Sequence, residues 1–414
     1  MSRIAVVGAG VVGVATAWLL LRAGHQVTLI DRFERAAQGV SEANGAQLSF
    51  AYSDALASPA IRKKLPAIIL NTDPAFQIRA QLDLEYWIWG LRFLRESTSL
   101  RFEANTRYLL EMAIKSRDAL SELMSEVELN FDYVSSGKMI LHEKDSEVMV
   151  GRSIREMKAS MGLAQELLSR EEATRIEPAL EMYPDSISCV VYSQHDAAGR
   201  PDLFCRALVD VMRNQYGLET NFGHEVTRVL CTRGKVTGLE IDGLGCRAFD
   251  QVVLATGGAL NLLSPWHRPW GELWPVQGYS LTARACLKAM RVSITDLKRK
   301  IVFARLGHEV RAAGLADIGR LSYRFDPARF AIFRQAAVDA FGASFEHGAH
   351  VDLKPWTGGR PCTPSSKPII RQGPVSGLYL NLGHGTLGWT LCFGSAQHLL
   401  ELMQPRQAQN KSKN

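Results

Sequence analysis

The N-terminal segment shows a change of hydrophobic period that predicts a strand, a helix and a second strand. The apolar run from Arg3 to Gly8 is typical of a strand buried on both faces of a parallel sheet. Val11 to Arg22 has the pattern of a helix, and Gly24 marks its end. Gln26 to Ile30 predicts the next strand, with Asp31 at its tip. These elements together predict a βαβ unit.

The period changes again along the rest of the chain. Residues from about Val40 to Pro59 are rich in Ser, Ala, Asn and Gly, and they predict an ordered loop. Helical spacing returns from Leu109 to Met124, and Ser169 to Glu172 forms a capping box before a shorter helix. The later elements are predicted as helix Pro201–Gln215 and strands Val226–Leu230, Val236–Ile241, Gln251–Ala255, Trp274–Ala283, Val302–Leu306 and Leu378–Asn381.

Three glycines lie where the first predicted strand passes into the first predicted helix. Gly8 permits a tight turn, Gly10 lets the backbone approach a pyrophosphate, and Gly13 allows helix and strand to pack closely. Unpaired N–H groups at the start of the helix, at Val11 and Val12, favour phosphate binding. Because the motif lies directly between a strand and a helix, it predicts a dinucleotide site.

The end of the second strand bears on which dinucleotide binds. Asp31 lies eighteen residues after Gly13 and would accept hydrogen bonds from the adenosine ribose. Its carboxylate would repel a 2′-phosphate, which disfavours NADP. For Arg32, a surface position and a cofactor contact both stay open.

A second glycine-rich turn, Gly383 to Gly388, lies near the C-terminus and leads into an apolar helix. Such a turn lets the backbone come close to a flat ligand. Two turns of this kind at opposite ends of one chain indicate a single long ligand, and FAD fits better than NAD because its flavin end needs late contacts. The predicted contacts in this half of the site are Thr256, Gly257, Gly383, His384, Gly385, Thr386, Leu387 and Gly388. At the other end of the cofactor, the strand that begins at Val226 is a candidate to face the adenine with its backbone. Sheet pairing alone is the alternative for Val226, and His384 is interpreted as a structural neighbour of the flavin rather than a base.

The predicted fold class is therefore α/β, with a Rossmann-like FAD-binding domain interrupted by an α+β substrate domain that contains an antiparallel sheet. A length of 414 residues agrees with two domains. The FAD-binding domain is predicted to comprise residues 1–55, 187–270 and 351–405. The substrate domain comprises 56–186 and 271–350, and 406–414 form a polar tail.

Composition and cysteine spacing argue against several other classes of protein. The net charge is +6, but basic residues are scattered without an aromatic-interleaved stripe, so nucleic acid binding is disfavoured. The seven cysteines include no C-x-x-C pair, which argues against a disulfide framework and a zinc site. The longest apolar run, Val11 to Leu21, is too short to span a bilayer. We expect a cytoplasmic protein, and peripheral contact with the inner face of the bacterial cytoplasmic membrane stays open.

Two further clusters have simple interpretations. His347, His350 and Asp352 lack a fourth ligand, so we predict no metal site. The apolar stretch around Trp87 and Trp89 predicts a buried helix of the substrate domain, and a membrane or subunit face stays open as the alternative.

The chain resembles the FAD-dependent D-amino acid dehydrogenases of the D-amino acid oxidase superfamily, with glycine oxidase a more distant relative. The resemblance extends from Ile4 to about Leu400, and the block from Gly383 to Thr390 is close to diagnostic for the D-amino acid dehydrogenase branch. The other segments that carry it are Val6–Val14, Ser41–Ser49, Gly278–Thr282 and Trp356–Pro361.

The resemblance implies oxidative deamination of a D-amino acid to a 2-oxo acid and ammonia, by hydride transfer from Cα to flavin N5. It also implies that electrons pass to a quinone or another respiratory acceptor. Two alternatives stay open. One is a dehydrogenase of cyclic D-imino acids such as D-proline or hydroxyproline, acting with a partner subunit. The other is a non-catalytic flavoprotein-like subunit.

The resemblance also implies roles for individual residues. An arginine is the expected carboxylate clamp, because its bidentate fork fixes both charge and orientation. Arg305 matches the position of the family's substrate arginine and is the first choice, and Arg360 is the second. The remaining assignments are Tyr279 and Tyr52 in the substrate pocket, and Ser41 and Gln47 along the flavin loop. For Tyr279, packing within the second sheet stays open as the alternative. Arg200 stands where relatives commonly carry an acidic residue, which bears on the substrate side chain rather than the reaction class.

Overall fold

The computed structural model describes residues 1–70, 72–263, 271–319, 324–346 and 353–404. Its helices are α1 (Val11–Arg22), α2 (Pro59–Ile69), α3 (Leu84–Glu96), α4 (Ser99–Glu126), α5 (Asp145–Val150), α6 (Arg152–Ser160), α7 (Arg170–Ile176), α8 (Pro201–Tyr216), α9 (Pro327–Phe341) and α10 (Gly388–Met403). The first ten strands are β1 (Arg3–Val7), β2 (Gln26–Asp31), β3 (Gln47–Leu48), β4 (Phe76–Ile78), β5 (Lys138–His142), β6 (Glu166–Leu168), β7 (Cys189–Ser193), β8 (Ala197–Ala198), β9 (Glu219–Phe222) and β10 (Val226–Thr232). The remaining strands are β11 (Lys235–Ile241), β12 (Gly245–Ala248), β13 (Gln251–Leu254), β14 (Trp274–Arg284), β15 (Ser293–Asp296), β16 (Ile301–Leu306), β17 (Glu309–Ile318), β18 (Lys354–Cys362), β19 (Ile369–Gln372) and β20 (Leu378–Leu382).

The first sheet has the order β19-β20-β13-β1-β2-β9, and its strands are parallel except for the edge strand β19. The apolar β1 lies in its interior, as its continuous hydrophobic run requires. The chain leaves β1 toward β2 and later returns on the other side as β13. A crevice therefore lies beyond the carboxyl end of β1, where ligands of such sheets bind.

Helices cover one face of this sheet, and the three-stranded sheet β10-β11-β12 covers the other. Helices α1, α4, α8 and α10 share one apolar core. The backbones of α4 and α10 approach so closely that a Cβ on Gly394 would lie 2.2 Å from the Met112 carbonyl oxygen. The Phe393 N–H also donates to the Ser116 hydroxyl at 3.2 Å. Helix α4 is thus fixed to the C-terminal helix.

The second sheet is mixed, with the order β18-β14-β17-β16-β15-β5-β7-β6, and β4 pairs with β17 at one side. Side chains on one of its faces pack with α9: Tyr279, Phe303 and Val310 share a core with Phe333 and Phe341. The other face meets the loop that follows β2. A Cβ on Gly45 would lie 3.0 Å from Val302 Cγ2 and 3.8 Å from the Ala313 Cβ.

The predicted fold class is confirmed, and so is the capping box at Ser169, where both reciprocal hydrogen bonds form. Three domain boundaries differ from the prediction. Strand β7 pairs with β5 and strand β18 with β14, so both belong to the second sheet and not to the nucleotide-binding domain. Helix α4 lies in the predicted substrate segment but packs in the core of the nucleotide-binding domain. No helix in the described ranges combines the length and hydropathy needed to cross a membrane.

Candidate active site

Three glycine turns that are far apart in sequence meet at the carboxyl end of the first sheet. Gly8 has φ of +105°, and a Cβ there would lie 2.5 Å from the Ala255 carbonyl oxygen. The Gly383 N–H donates to the Gly257 carbonyl at 3.2 Å, and the Gly385 N–H donates to the Pro361 carbonyl at 2.9 Å. The turns at Gly8, Gly257 and Gly383 thus form one continuous backbone surface.

The first turn leaves no room for a side chain at Gly13. A Cβ on Gly13 would lie 1.7 Å from the Gly8 carbonyl oxygen, so glycine is required where α1 crosses the turn. The Ser41 hydroxyl accepts from the Val11 N–H at 3.2 Å and lies 3.2 Å from a Cβ built on Gly10. Ser41 therefore lies beside the N-terminus of α1, at the predicted phosphate turn, rather than along the flavin loop where the sequence suggested it.

The carboxylate of Asp31 is held at the same crevice. One of its oxygens accepts from the Ala9 N–H at 2.6 Å, and the other accepts from the Phe33 N–H at 3.0 Å. The predicted ribose contact would use the lone pairs that remain, and it stays a prediction. Arg32 is exposed, with its guanidinium 5.0 Å from the Phe33 ring. Val226 is buried and pairs with Ile241 within the small sheet.

The loop after β2 crosses the second sheet from one strand to the next. The Ser280 hydroxyl on β14 donates to the Ala43 carbonyl at 2.6 Å. Arg311 on β17 donates to the Asn44 carbonyl at 3.4 Å and to the Thr282 hydroxyl at 2.9 Å. Gln47 then donates from Nε2 to the Phe303 and Ile294 carbonyls. These contacts fix the face of the second sheet on which a flavin along this loop would lie.

Arg311 was not identified from the sequence. It is buried, and burial lowers its pKa to about 10. Strand alternation offered a signal, since a lone arginine interrupts the apolar run from Val310 to Leu315.

Beyond Gln47 the loop enters a buried cluster of charged groups. The Lys138 ammonium donates to the Ser49 hydroxyl at 2.8 Å, and the Ala51 N–H donates to Asp196 Oδ1 at 2.8 Å. Lys138 and Asp196 are both buried. Burial lowers the pKa of Lys138 to about 8 and raises the pKa of Asp196 to about 6. The cluster ties the loop to β5 and to the segment that leads into β8.

Tyr52 lies inside this cluster. Its ring centre is 4.5 Å from the Lys138 ammonium and 5.4 Å from that of Lys158, and Lys158 pairs with Asp54 at 2.9 Å. Burial raises the pKa of the Tyr52 hydroxyl. The ring is therefore held by two cations, and closure of Tyr52 over a substrate stays a prediction.

His384 lies in the late turn between two glycines with positive φ, Gly383 and Gly385. Its side chain is buried, and Nε2 has no hydrogen-bond partner among the described residues. Burial lowers the pKa of His384 to about 3, so the imidazole is neutral at physiological pH. A buried ring nitrogen without a partner fits a site completed by a bound polar group. Thr386 is exposed, Leu387 is half-buried, and Gly388 begins α10.

The two candidate clamp arginines lie on opposite faces of the second sheet. Arg360 spreads over Gly278 on the face of Ser280, and its Nη1 and Nη2 donate to the Leu315 and Gly314 carbonyls at 2.7 and 3.2 Å. Burial lowers its pKa. Arg360 thus shares the face that carries the flavin loop.

Arg305 lies on the other face. It is the cross-strand partner of Val310, whose side chain packs toward α9, and its Nε donates to the Gly307 carbonyl at 3.3 Å. Tyr279 is also on that face, buried in the core with α9. The predicted clamp Arg305 and the predicted pocket residue Tyr279 thus lie on the face of the second sheet that packs against α9, whereas Arg360 lies on the face that carries the flavin loop. The roles of all three residues stay predictions.

The residues present fit FAD. The backbone surface at Gly8, Gly13 and Gly383 excludes Cβ atoms, a helix N-terminus faces the crevice, and the His384 Nε2 is buried without a partner. The whole of the chain from residue 3 to residue 402 matches the family described as FAD dependent oxidoreductase. The chain belongs to this family.

Relatives agree with this assignment. The chain is 34% identical to "D-amino acid dehydrogenase 2" of Ralstonia nicotianae, over 98% of this chain and 97% of that protein. It is also 34% identical to "D-amino acid dehydrogenase" of Phenylobacterium zucineum, over 96% of this chain and 93% of that protein. The crystal structure of glycine oxidase from Bacillus cereus superposes with a TM-score of 0.72 at 19% identity, covering 97% of each chain. The predicted resemblance, the enzyme class and FAD as cofactor are thus confirmed.

The described ranges offer little support for a metal centre or for disulfide chemistry. No group of three or more His, Cys, Asp or Glu side chains there is arranged to hold a metal ion. His347, His350 and Asp352 lie outside the described residues. All seven cysteines are free thiols.

Proposed function

We propose that this oxidoreductase oxidises D-amino acids to imino acids, which water hydrolyses to 2-oxo acids and ammonia, and passes the electrons to a quinone or other respiratory acceptor. The observation that carries the proposal is the 34% identity, over almost the full length, to relatives named D-amino acid dehydrogenase. FAD, when bound, supplies the oxidant that accepts the hydride from the substrate Cα.

The chain's own residues would hold the cofactor in three places. The Gly8–Gly13 turn and the N-terminus of α1 would bind the pyrophosphate, and Asp31 would bind the ribose. The loop from Ala43 to Gln47 and the turn from Gly383 to Gly388 would enclose the flavin end. Both of these segments are fixed by hydrogen bonds to the sheets, so they need little rearrangement to bind it.

Arg360 is the group that would bind the substrate carboxylate. Two of its N–H groups are already committed to the Gly314 and Leu315 carbonyls, which fixes the plane of the guanidinium. Three further N–H donors remain available to a carboxylate. An arginine fixed in this way orients the substrate as well as attracting its charge.

Covalent catalysis by the neighbouring thiol is disfavoured. Cys362 follows Arg360 on β18, and burial raises its pKa to about 12. The side chain is therefore a protonated thiol at neutral pH, and a thiol is a poor nucleophile. The residues around Arg360 instead serve to bind and orient the substrate.

A substrate screen tests the reaction. The FAD-loaded protein would be mixed anaerobically with D-alanine, L-alanine or D-proline, and loss of the visible flavin absorbance would be followed. We expect bleaching by D-alanine and not by L-alanine. Bleaching by D-proline alone would instead support the cyclic imino acid alternative, and a yellow protein that no amine bleaches would support the non-catalytic one.

A pair of arginine variants tests the clamp. Arg360→Lys should keep the positive charge but lose the bidentate fork, and kcat/KM for the best D-amino acid should fall about 100-fold or more. Arg305→Ala serves as the matched control because Arg305 lies on the other face, and its kinetics should stay within a factor of about three. A severe loss in Arg305→Ala with normal kinetics in Arg360→Lys would reverse the assignment.

We further propose that the protein works at the inner face of the bacterial cytoplasmic membrane as a peripheral enzyme. A quinone acceptor is dissolved in the bilayer, so the enzyme must approach the lipid surface. A soluble dye acceptor should support turnover without membranes, whereas a water-insoluble quinone should support it only when lipid vesicles are present. Equal rates with the quinone in the absence of lipid would contradict this part of the proposal.

A further inference from the structure

Helix α3 is apolar on both of its sides, although it lies on the surface. Its inner side packs Tyr86 and Trp89 against Trp274 and Val276 at the start of β14 in the second sheet. A surface helix normally carries polar residues on its outer side. The outer side of α3 instead presents large apolar residues over its first two turns and basic residues only toward its end.

The outer side presents a continuous apolar stripe. Leu84, Trp87 and Leu91 are 63%, 52% and 68% exposed, and their spacing of three and four residues aligns them along one side of the helix. Leu82 is fully exposed just before the N-cap residue Asp83. The stripe is thus built from four large side chains in water.

Basic residues border this stripe. Arg95 follows Leu91 by four residues and so continues the same side of the helix, and Arg92 is also exposed. Trp87 keeps its indole N–H bound to the Gln81 carbonyl at 2.9 Å, which fixes the ring at the surface. Aromatic rings with long basic side chains beside them are typical of segments at a lipid headgroup layer.

Helix α2 packs against β4, which pairs with the same end of β17 that contacts the inner side of α3. Its exposed residues include Arg62 and Lys63, followed by Ile69 and, just past its end, Leu70. Helix α2 has three basic residues and no acidic ones, and α3 has two of each. The two helices together therefore carry half of the chain's net charge of +6 in a small part of its length.

We propose that the outer sides of α2 and α3 form a docking surface for an anionic lipid bilayer. The apolar stripe would enter the headgroup layer while the arginines and lysines contact lipid phosphates. This inference rests on the proposed function, in which the electron acceptor is a quinone in the membrane. The surface on α2 and α3 would bring the enzyme to that acceptor. It is independent of the reaction at Arg360, so the two can fail separately.

Vesicle sedimentation of the FAD-loaded full chain tests the surface. The probes are vesicles of phosphatidylcholine alone and vesicles of equimolar phosphatidylcholine and phosphatidylglycerol. We expect binding to the anionic vesicles, weaker binding to the neutral ones, and release as salt is raised, because surface charge is screened. Leu91→Glu should lower the partition coefficient at least about tenfold, since it removes an exposed apolar side chain that the bilayer would bury and adds a negative charge.

Leu287→Glu is the matched control, because Leu287 is 103% exposed between β14 and β15, away from α3. Its vesicle binding should stay as in the wild type. Turnover with a soluble dye should be unchanged in Leu91→Glu, which separates loss of docking from loss of catalysis. The proposal is overturned if the wild type ignores anionic vesicles or if Leu91→Glu binds them as well as the wild type. It is equally overturned if Leu91→Glu dissociates a dimer seen by size exclusion, since a second copy would then cover the stripe.

Discussion

Substitution of Gly278 by alanine would test the position of Arg360 without changing the arginine itself. Gly278 lies on β14 opposite Gly358, and its backbone is in a region that alanine adopts. A Cβ there would lie 2.2 Å from Arg360 Nη2 and 2.4 Å from its Cζ. Backbone strain is therefore absent, and the added methyl group acts on the guanidinium.

The size of the effect follows from this geometry. Ordinary van der Waals contact begins at 3.4 Å, so the guanidinium must move by about 1 Å. Such a shift breaks its hydrogen bonds to the Gly314 and Leu315 carbonyls and turns the free N–H groups away from the substrate. A displacement of about 1 Å at a positioning group costs roughly 100-fold in rate, or about 3 kcal/mol. We expect kcat/KM for a D-amino acid to fall by that factor while FAD stays bound.

Steady-state kinetics with a dye acceptor would measure the loss, and flavin absorbance would report cofactor content. Gly90→Ala is the control, because a Cβ there meets nothing within 4 Å. The decisive comparison is a double-mutant cycle with Arg360→Ala. If Gly278→Ala acts through the arginine, it should add little once the guanidinium is gone. An equal loss in both backgrounds would refute the proposed role of Arg360.

Substitutions of His384 and Lys138 should change the free energy of unfolding in two different ways. The folded-state pKa of His384 is lowered to about 3, so only the unfolded chain takes up a proton there between about pH 6.5 and 3, and stability falls as pH is lowered through this window. His384→Gln should remove this dependence, up to about 1.4 kcal/mol per pH unit, in urea titrations compared with wild type; identical slopes would contradict the buried neutral imidazole. Lys138→Met removes one of the two ammonium groups, Lys138 and Lys158, that stabilise the buried Asp196 carboxylate, and it should cost about 3 kcal/mol of unfolding free energy. Addition of Asp196→Asn should restore most of that loss, and a purely additive double variant would rule out the pairing.

The sequence predicts where the two glycine-rich turns lie, but it does not predict which face of the second sheet each strand residue occupies. The Gly8–Gly13 and Gly383–Gly388 turns could be predicted because glycine spacing reports directly on backbone geometry. Arg305 could be placed on a strand, and alternation shows that Ala304 and Leu306 face away from it. Which of those faces carries the flavin loop depends on packing against α9 and on the loop's contacts to β14, and no local pattern encodes that.

Long-range packing also explains the other differences. Chain order predicts that helix α4 belongs to the substrate domain, because it lies within the inserted segment of the chain. Its apolar side, including Leu109 and Leu120, instead completes the core around α1 and α10. Similarly, Ser41 is next to the flavin loop in sequence, but its hydroxyl reaches the Val11 N–H. Chain order sets which segments are neighbours in sequence, and tertiary contacts decide where their side chains act.

The close approach at Gly394 limits how this enzyme can admit its substrate. Since α4 meets α10 backbone to backbone, the inserted segment is anchored there in the core of the nucleotide-binding domain, and a hinge rotation that carried α4 along would have to break this contact. Access is therefore expected through rearrangement of loops and side chains over a rigid frame. The reacting carbon and its oxidant would then be aligned by a preset geometry in every catalytic cycle, with no domain closure needed to assemble it.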